Sequence, residues 1–136
     1  MLTHTNLSHT NAMAMLNAVR AELEARHLAA AVAVVDDHGE LLAFMRTDGC
    51  PLTSITIAQN KALTAARERR DSQAVGTSSR EGGWPLSNFG DIRFIGWGGG
   101  VPVIVGGRVI GGVGVSGLTE ELDIELARLG AAAANA

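Results

Sequence analysis

The fold of this 136-residue chain is decided by residues 31–67, which read AVAVVDDHGELLAFMRTDGCPLTSITIAQNKALTAAR. Residues 31–35 are apolar on both faces, which predicts a central strand covered on each side. Asp-Asp-His-Gly at positions 36–39 predicts a turn, because Asp supplies side-chain hydrogen bonds and Gly accepts a positive φ. Residues 40–46 predict a second strand. A helix of small residues is predicted from Pro51 onward, because proline favours the first helical position.

The rest of the chain predicts a helix at each end and a second hairpin. Apolar positions in residues 11–27 follow the spacing of an amphipathic helix. Residues 101–105 and 108–115 flank a Gly-Gly pair and predict the second hairpin, with Pro102 near the start of an edge strand. Thr119 and the acids after it predict the start of the last helix.

Residues 71–100 are predicted to be irregular. This stretch contains both tryptophans, Trp84 and Trp97, and two of the three phenylalanines. An irregular segment of this length in a compact domain is usually functional or forms an interface. The aromatic side chains are therefore predicted either to wall a ligand or to cover a neighbouring subunit.

Composition predicts one globular domain over residues 1–136. The chain is 46% hydrophobic with 17 glycines and only 4% aromatic residues, so its core is predicted to consist of small side chains. Such a core favours homo-oligomerisation, which completes the burial of apolar surface. Cys50 is the single cysteine, which excludes an intrachain disulfide.

Charge and hydropathy exclude several classes of partner. The net charge of -3 is not arranged in long single-sign runs, which argues against a nucleic-acid surface. The N-terminal residues lack the pattern of a signal peptide, and the longest apolar stretch is interrupted by Pro102, Arg108 and several glycines. We therefore expect a cytoplasmic protein without a membrane helix, whose partners are small molecules or further copies of itself.

A candidate ligand pocket follows from residue spacing. Ser54 and Lys61 are predicted on one face of the second helix. Lys61 is the single lysine among 11 basic residues and is either a solvated surface residue or a ligand-facing one. Ser116 and Gly117 precede the last helix, whose first amides suit a carboxylate, although two acids follow them. The pocket is predicted between this helix face, this loop and the aromatic loop around Trp84.

None of the common catalytic motifs identifies a function for this chain. Gly112-x-Gly114-x-x-Gly117 matches a dinucleotide fingerprint, but that motif opens a βαβ unit and this chain ends within one helix. These glycines are therefore predicted to serve packing. The sequence has no HExxH, GxSxG, P-loop or CxxC pattern and no visible nucleophilic triad.

Two blocks carry a resemblance to a known family: AVVDDHGELLAFMRTDGC at residues 33–50 and GGVPVIVGGRVIGGVGVSG at residues 99–117. With the intervening Ser54, Ala58 and Lys61, the chain resembles the GlcG/HbpS family, also called the haem-degrading domain family, which includes the C-terminal domain of the PduO adenosyltransferases. The resemblance implies an α+β fold with a five-stranded antiparallel sheet flanked by helices, similar to profilin-like or Roadblock-like domains. It also implies assembly into homo-oligomers.

The resemblance favours a small-molecule-binding domain that binds haem or a related tetrapyrrole. The alternatives are an intracellular catabolic enzyme or accessory protein acting on a small organic acid, and a structural oligomer subunit. The candidate haem ligands are His4, His9, His27 and His38, with Met13 or Met15 as further candidates. The cations that could meet haem propionates or a substrate carboxylate are Arg46, Lys61 and Arg80. The candidates for proton transfer are Asp48, Ser54 and Asp123.

Overall fold

The computed structural model describes residues 1–135; the predicted domain extends to Ala136, which lies outside the described residues. The strands are β1 (Ala31–Asp36), β2 (Leu41–Arg46), β3 (Gly100–Val105) and β4 (Arg108–Ser116). The helices are α1 (His9–Ala25), α2 (Ser54–Glu68), α3 (Ser72–Gly82) and α4 (Glu120–Ala132), with 3-10 turns at Leu86–Phe89 and Ala133–Asn135.

The sheet is antiparallel, with strand order β2-β1-β4-β3 in the described residues. β1 pairs with β4 from Ala31 opposite Ser116 to Asp36 opposite Gly111. The predicted hairpins, the central position of β1 and the edge position of the strand with Pro102 are all confirmed.

The expected fifth strand is wrong: the sheet of residues 1–135 has four strands. The long connection between α2 and β3 forms α3 and a 3-10 turn. Its serines and glycines lack the alternating or continuous apolar pattern that a strand needs in order to pack on a core.

Helix α3 also corrects the prediction that residues 71–100 are irregular throughout. Its buried positions are Ser72, Val75 and Gly76, so its inner face carries one apolar side chain larger than alanine. The Ser72 hydroxyl donates to the carbonyl of Trp97 at 2.7 Å and accepts from the amide of Gly100 at 2.9 Å. Hydrogen bonding and close packing therefore attach α3 to the sheet, and neither produces a periodic apolar signal.

The two faces of the sheet are covered by different helices. Val32, Val34, Val113 and Val115 belong to the larger apolar cluster, which includes residues of α1 and α4. The opposite face of β1 carries small residues that pack against alanines of α2. Both faces of the central strands are buried, as the continuous apolar pattern of β1 predicts.

Helix α2 lies directly on the sheet because the strands beneath it carry glycine. A Cβ built on Gly114 would come within 2.0 Å of the carbonyl oxygen of Ala58, and one on Gly112 within 2.6 Å of that of Ala62. The prediction that these glycines serve packing is confirmed. The helix begins at Ser54 rather than at Pro51, since Pro51 lies in the preceding turn and accepts a hydrogen bond from the Ser54 amide.

None of the helices within residues 1–135 is long and apolar enough to cross a membrane.

The close approach of α2 gives a stability prediction. Gly114→Ala should lower the free energy of unfolding by about 3 kcal/mol or more, because helix backbone cannot move away as a flexible side chain can. Gly106→Ala is the control: the added Cβ meets no atom within 4 Å, and the φ of 58° costs about 1–2 kcal/mol. Urea denaturation of both variants measures the difference, and equal losses would contradict the backbone contact.

Candidate functional site

A polar cavity of about 370 Å³ lies where β4 ends and α4 begins, and we call it the lysine cavity. Its lining residues are Ser54, Lys61, Trp97, Gly98, Ser116, Gly117, Leu118, Glu120 and Asp123. The structure thus brings together Ser54, Lys61, Ser116 and Gly117. The aromatic residue at this cavity is Trp97 rather than Trp84.

Lys61 is buried in this cavity and is not a solvated surface residue, since only 2% of it is exposed. Its Nζ donates to the carbonyl oxygen of Val115 at 2.9 Å and to Oδ2 of Asp123 at 3.0 Å. The other carboxylate oxygen of Asp123 accepts from the amide of Leu118 at 3.1 Å. The ion pair therefore joins α2, β4 and α4 at one point.

The electrostatics of the lysine cavity do not favour an anion. Burial raises the pKa of the Asp123 carboxyl, and the Lys61 ammonium partly offsets this increase. Asp123 neutralises the single cation of the lining, and Glu120 adds a second carboxylate. The Ser116 hydroxyl donates to that of Ser54 at 3.2 Å, and both residues are buried.

A second cavity of about 460 Å³, which we call the His27 cleft, lies between the end of α1 and the end of β2. Its lining residues are Arg20, Leu23, Glu24, His27, Leu28, Ala29, Met45, Arg46, Thr47 and Asp48. Leu28, Ala29 and Met45 are half-buried, whereas the charged side chains of both signs and the His27 imidazole are exposed. The cleft collects three of the predicted site residues, namely His27, Arg46 and Asp48.

The backbone of His27 has a conformation that is uncommon for a residue with a side chain. Its φ is 55°, in the left-handed region. The His27 amide donates to the carbonyl of Glu24 and the Leu28 amide to that of Leu23, which is the hydrogen-bond pattern of a Schellman motif. This position after a helix is usually glycine. The motif reverses the chain after α1 and leaves the His27 side chain exposed at the cleft.

The remaining candidates lie elsewhere. Arg80 is exposed at the end of α3, and Trp84 packs edge-on against Phe89 with ring centroids 5.7 Å apart. His9 is exposed at the start of α1. Met15 is fully buried in the core, which removes it from the candidate ligands, and Met13 is 46% exposed on α1.

His4 and His38 meet at the turn between β1 and β2. Their ring centroids lie 6.1 Å apart on either side of Asp37, and the three residues could hold a metal ion. Sequence reasoning treated Asp37 as a turn residue alone. The burial of its side chain depends on the N-terminal segment, which carries no local signal for this contact.

Comparison with known proteins identifies the family. A sequence profile described as "Haem degrading protein HbpS-like" matches residues 7–132. The chain belongs to the HbpS-like family. The resemblance predicted from the two sequence blocks is thereby confirmed.

Relatives of this HbpS-like chain share most of its length. Protein GlcG of Escherichia coli strain K12 is 38% identical over 122 residues, which cover 85% of each chain. The crystal structure of Klebsiella pneumoniae protein ORFY is similar with a TM-score of 0.88 and 30% identity, covering 99% of this chain and 95% of that one. A structure titled as a PduOC:Heme complex has a TM-score of 0.86 and 25% identity, covering 95% of each chain.

The buried ion pair gives a prediction about pH. Lys61→Met should lower the free energy of unfolding by about 3–5 kcal/mol at pH 7, because it leaves the Asp123 carboxylate buried without its ammonium partner. Without Lys61 the already raised pKa of Asp123 rises further. The folded state then binds a proton more tightly than the unfolded state, so the loss relative to wild type should shrink at about pH 5.

The double variant Lys61→Met/Asp123→Asn is the matched control. Asn keeps an oxygen for the Leu118 amide and cannot ionise, so the double variant should recover most of the lost stability and its difference from Lys61→Met should vanish at low pH. Urea denaturation at both pH values measures the effect. A Lys61→Met loss that does not change with pH would contradict the assigned ion pair.

Proposed function

We propose that this chain binds haem, or a related tetrapyrrole, in the His27 cleft. The proposal is carried by one observation: a histidine occupies the left-handed position at the end of α1, where glycine is preferred, and lines a cleft of mixed apolar and charged side chains there. A strained residue at a cavity justifies a functional hypothesis. The description of the matching family and the haem complex of PduOC support the choice of ligand.

The residues of the cleft fit the requirements of haem. Haem sites need an apolar slot, an axial ligand and cations for the propionates. Leu28 and Met45 are half-buried and supply apolar surface, and the His27 imidazole is available as an iron ligand. Arg46 is exposed at the rim and makes no ion pair within residues 1–135, which leaves its guanidinium available for a propionate.

The other charged side chains of the cleft would determine which way the propionates of a bound haem face. Arg20 lies on the same rim but is bound to Glu24 at 2.9 Å, and both side chains are more than half exposed. The Glu24 and Asp48 carboxylates would repel propionates, so the propionate edge should face Arg46 and remain near solvent. The bound haem would supply the iron chemistry. His27 would bind the iron, and Leu28 and Met45 would shield part of the ring from water.

The alternative ligand, a small organic acid, has less support. A carboxylate in the lysine cavity would meet Lys61 only beside Asp123 and Glu120. Ser54 and Asp123, which sequence analysis proposed for proton transfer, are bound to Ser116 and to Lys61 and Leu118. A substrate would first have to displace these interactions, which adds to the cost of binding.

We further propose that the chain forms a homo-oligomer. Among the described residues, Ile92 is 99% exposed, Leu52 74% and Trp97 59%, and a subunit interface would remove this apolar surface from water. If an interface buries them, the aromatic segment of residues 71–100 would cover a neighbouring subunit, which is one of the two roles predicted from the sequence. Sedimentation equilibrium at several protein concentrations tests this, and a strictly monomeric mass would contradict it.

The central prediction concerns His27. Purified apoprotein titrated with hemin should show a saturable, stoichiometric Soret shift, and His27→Gly should abolish it. Glycine is the preferred residue in the left-handed position, so His27→Gly should also leave the protein as stable as wild type or about 1 kcal/mol more stable. A loss of haem binding can then not be attributed to unfolding.

His9→Ala is the control for this experiment, because His9 is an exposed histidine at the opposite end of α1 and outside the cleft. It should bind hemin as wild type does. Arg46→Ala should weaken binding without removing the Soret shift, because it removes a propionate contact and not an iron ligand. A hemin response that survives His27→Gly places the ligand elsewhere, and a non-saturating response contradicts haem binding altogether.

A further inference from the structure

The β1–β2 turn and the N-terminal segment bring three metal-ligating side chains together, far along the sheet from the His27 cleft. Nε2 of His4 lies 3.1 Å from Oδ2 of Asp37, and Nε2 of His38 lies 4.0 Å from Oδ1 of Asp37. The ligand atoms of the three residues all lie within 4.8 Å of one another. Two imidazoles and a carboxylate are a ligand set that zinc and similar divalent ions prefer.

Asp37 provides a second, independent observation. The residue is 5% exposed, and its Oδ1 is buried without a hydrogen-bond partner among the described residues. The contact with His4 satisfies only Oδ2. Leaving a buried carboxylate oxygen unsatisfied is costly, so an ordinary ion pair with His4 does not explain this side chain. A cation between Oδ1 and the two imidazoles would satisfy it.

The backbone around the three residues is held in place by hydrogen bonds from outside the cluster. Oδ1 of Asn6 accepts from the amides of Leu7 at 2.9 Å and Asp37 at 3.0 Å, which ties the segment carrying His4 to the turn. These bonds fix the backbone of the turn relative to the segment that carries His4.

Two arginines hold the same turn. Arg69 donates to the carbonyl of Asp37 at 2.9 Å, and Arg67 donates to that of His38 at 2.7 Å. Their charges oppose a cation, but Arg67 also faces the carboxylates of Glu40 and Asp91, each at 3.5 Å, so its charge is partly compensated. The guanidinium groups bind backbone oxygens and leave the three ligand side chains free.

We infer that His4, Asp37 and His38 form a binding site for a divalent transition-metal ion such as Zn²⁺, with a fourth position open to water. Tetrahedral zinc with bonds of about 2.0–2.1 Å holds its ligand atoms about 3.3 Å apart, so the cluster must contract on binding. The two histidines can supply this movement, since the His4 side chain is 39% exposed and that of His38 is 71% exposed. Asp37 is the fixed member.

The test is isothermal titration of ZnCl₂ into the untagged full-length chain after removal of metal with a chelator. Wild type should bind zinc saturably with one ion per chain, and His4→Ala and His38→Ala should each weaken binding at least about 10-fold. His9→Ala, which removes an exposed histidine outside the cluster, should bind as wild type does. Absence of stoichiometric binding, or equal losses in all three variants, would overturn the inference.

Asp37→Asn separates metal binding from a merely structural role. Asn can still accept from His4, and it removes the unsatisfied charge, so the metal-free variant should melt at the same temperature as wild type or higher. The same variant should bind zinc at least about 10-fold more weakly. A variant that melts lower and still binds zinc as wild type does would show that Asp37 stabilises the turn and is not a ligand.

Discussion

The contact between the backbone of α2 and the glycines of the sheet is the constraint on which the rest of this structure depends. With a side chain at Gly112 or Gly114 the helix could not reach its position over β1 and β4. A Cβ on Gly100 would lie 2.2 Å from the carbonyl oxygen of Lys61, so the helix is equally close to β3 at this residue. Lys61 lies on the buried face of this helix, so its ammonium group needs a partner.

The partner of Lys61 explains why the polar groups of the lysine cavity are bound to one another, whereas those of the His27 cleft are exposed. The Lys61 side chain reaches the end of β4, where the Val115 carbonyl and the Asp123 carboxylate satisfy it. A buried ion pair of this kind is strongly destabilised when one member is removed, yet contributes little beyond a well-packed apolar pair. The lysine cavity is thus a satisfied structural site, whereas the imidazole and Arg46 of the His27 cleft stay exposed.

Much of the fold could be predicted because its signals are local. The two hairpins follow from short apolar runs separated by Asp, His and Gly, and their strands were placed to within one residue. Helix α3 could not be predicted, because its buried face consists of Ser72, Val75 and Gly76 and has no apolar period. The fifth strand came from the family resemblance and not from any residue pattern of this chain.

The candidate sites were predictable only in part, for a different physical reason. The helix face of Ser54 and Lys61 follows from spacing, but Asp123 lies 62 residues from Lys61 and nothing local joins them. For His27, the sequence indicated only that the residue lies at the end of a helix. Its left-handed backbone results from the hydrogen bonds that close α1, which a residue list does not show.

The two histidine-containing sites lie at opposite ends of one strand, and this separation has consequences for their chemistry. β1 has six residues, at about 3.3 Å each, so the His27 cleft and the turn with Asp37 are about 20 Å apart. This exceeds the screening length of about 8 Å at physiological ionic strength, so a charge bound at one end has little direct effect at the other. One iron or zinc ion cannot use ligands from both ends. Any coupling between the two sites would therefore have to pass through the elements that join them, namely α1, β1 and β2, and pairing with both neighbouring strands holds the register of β1 in place.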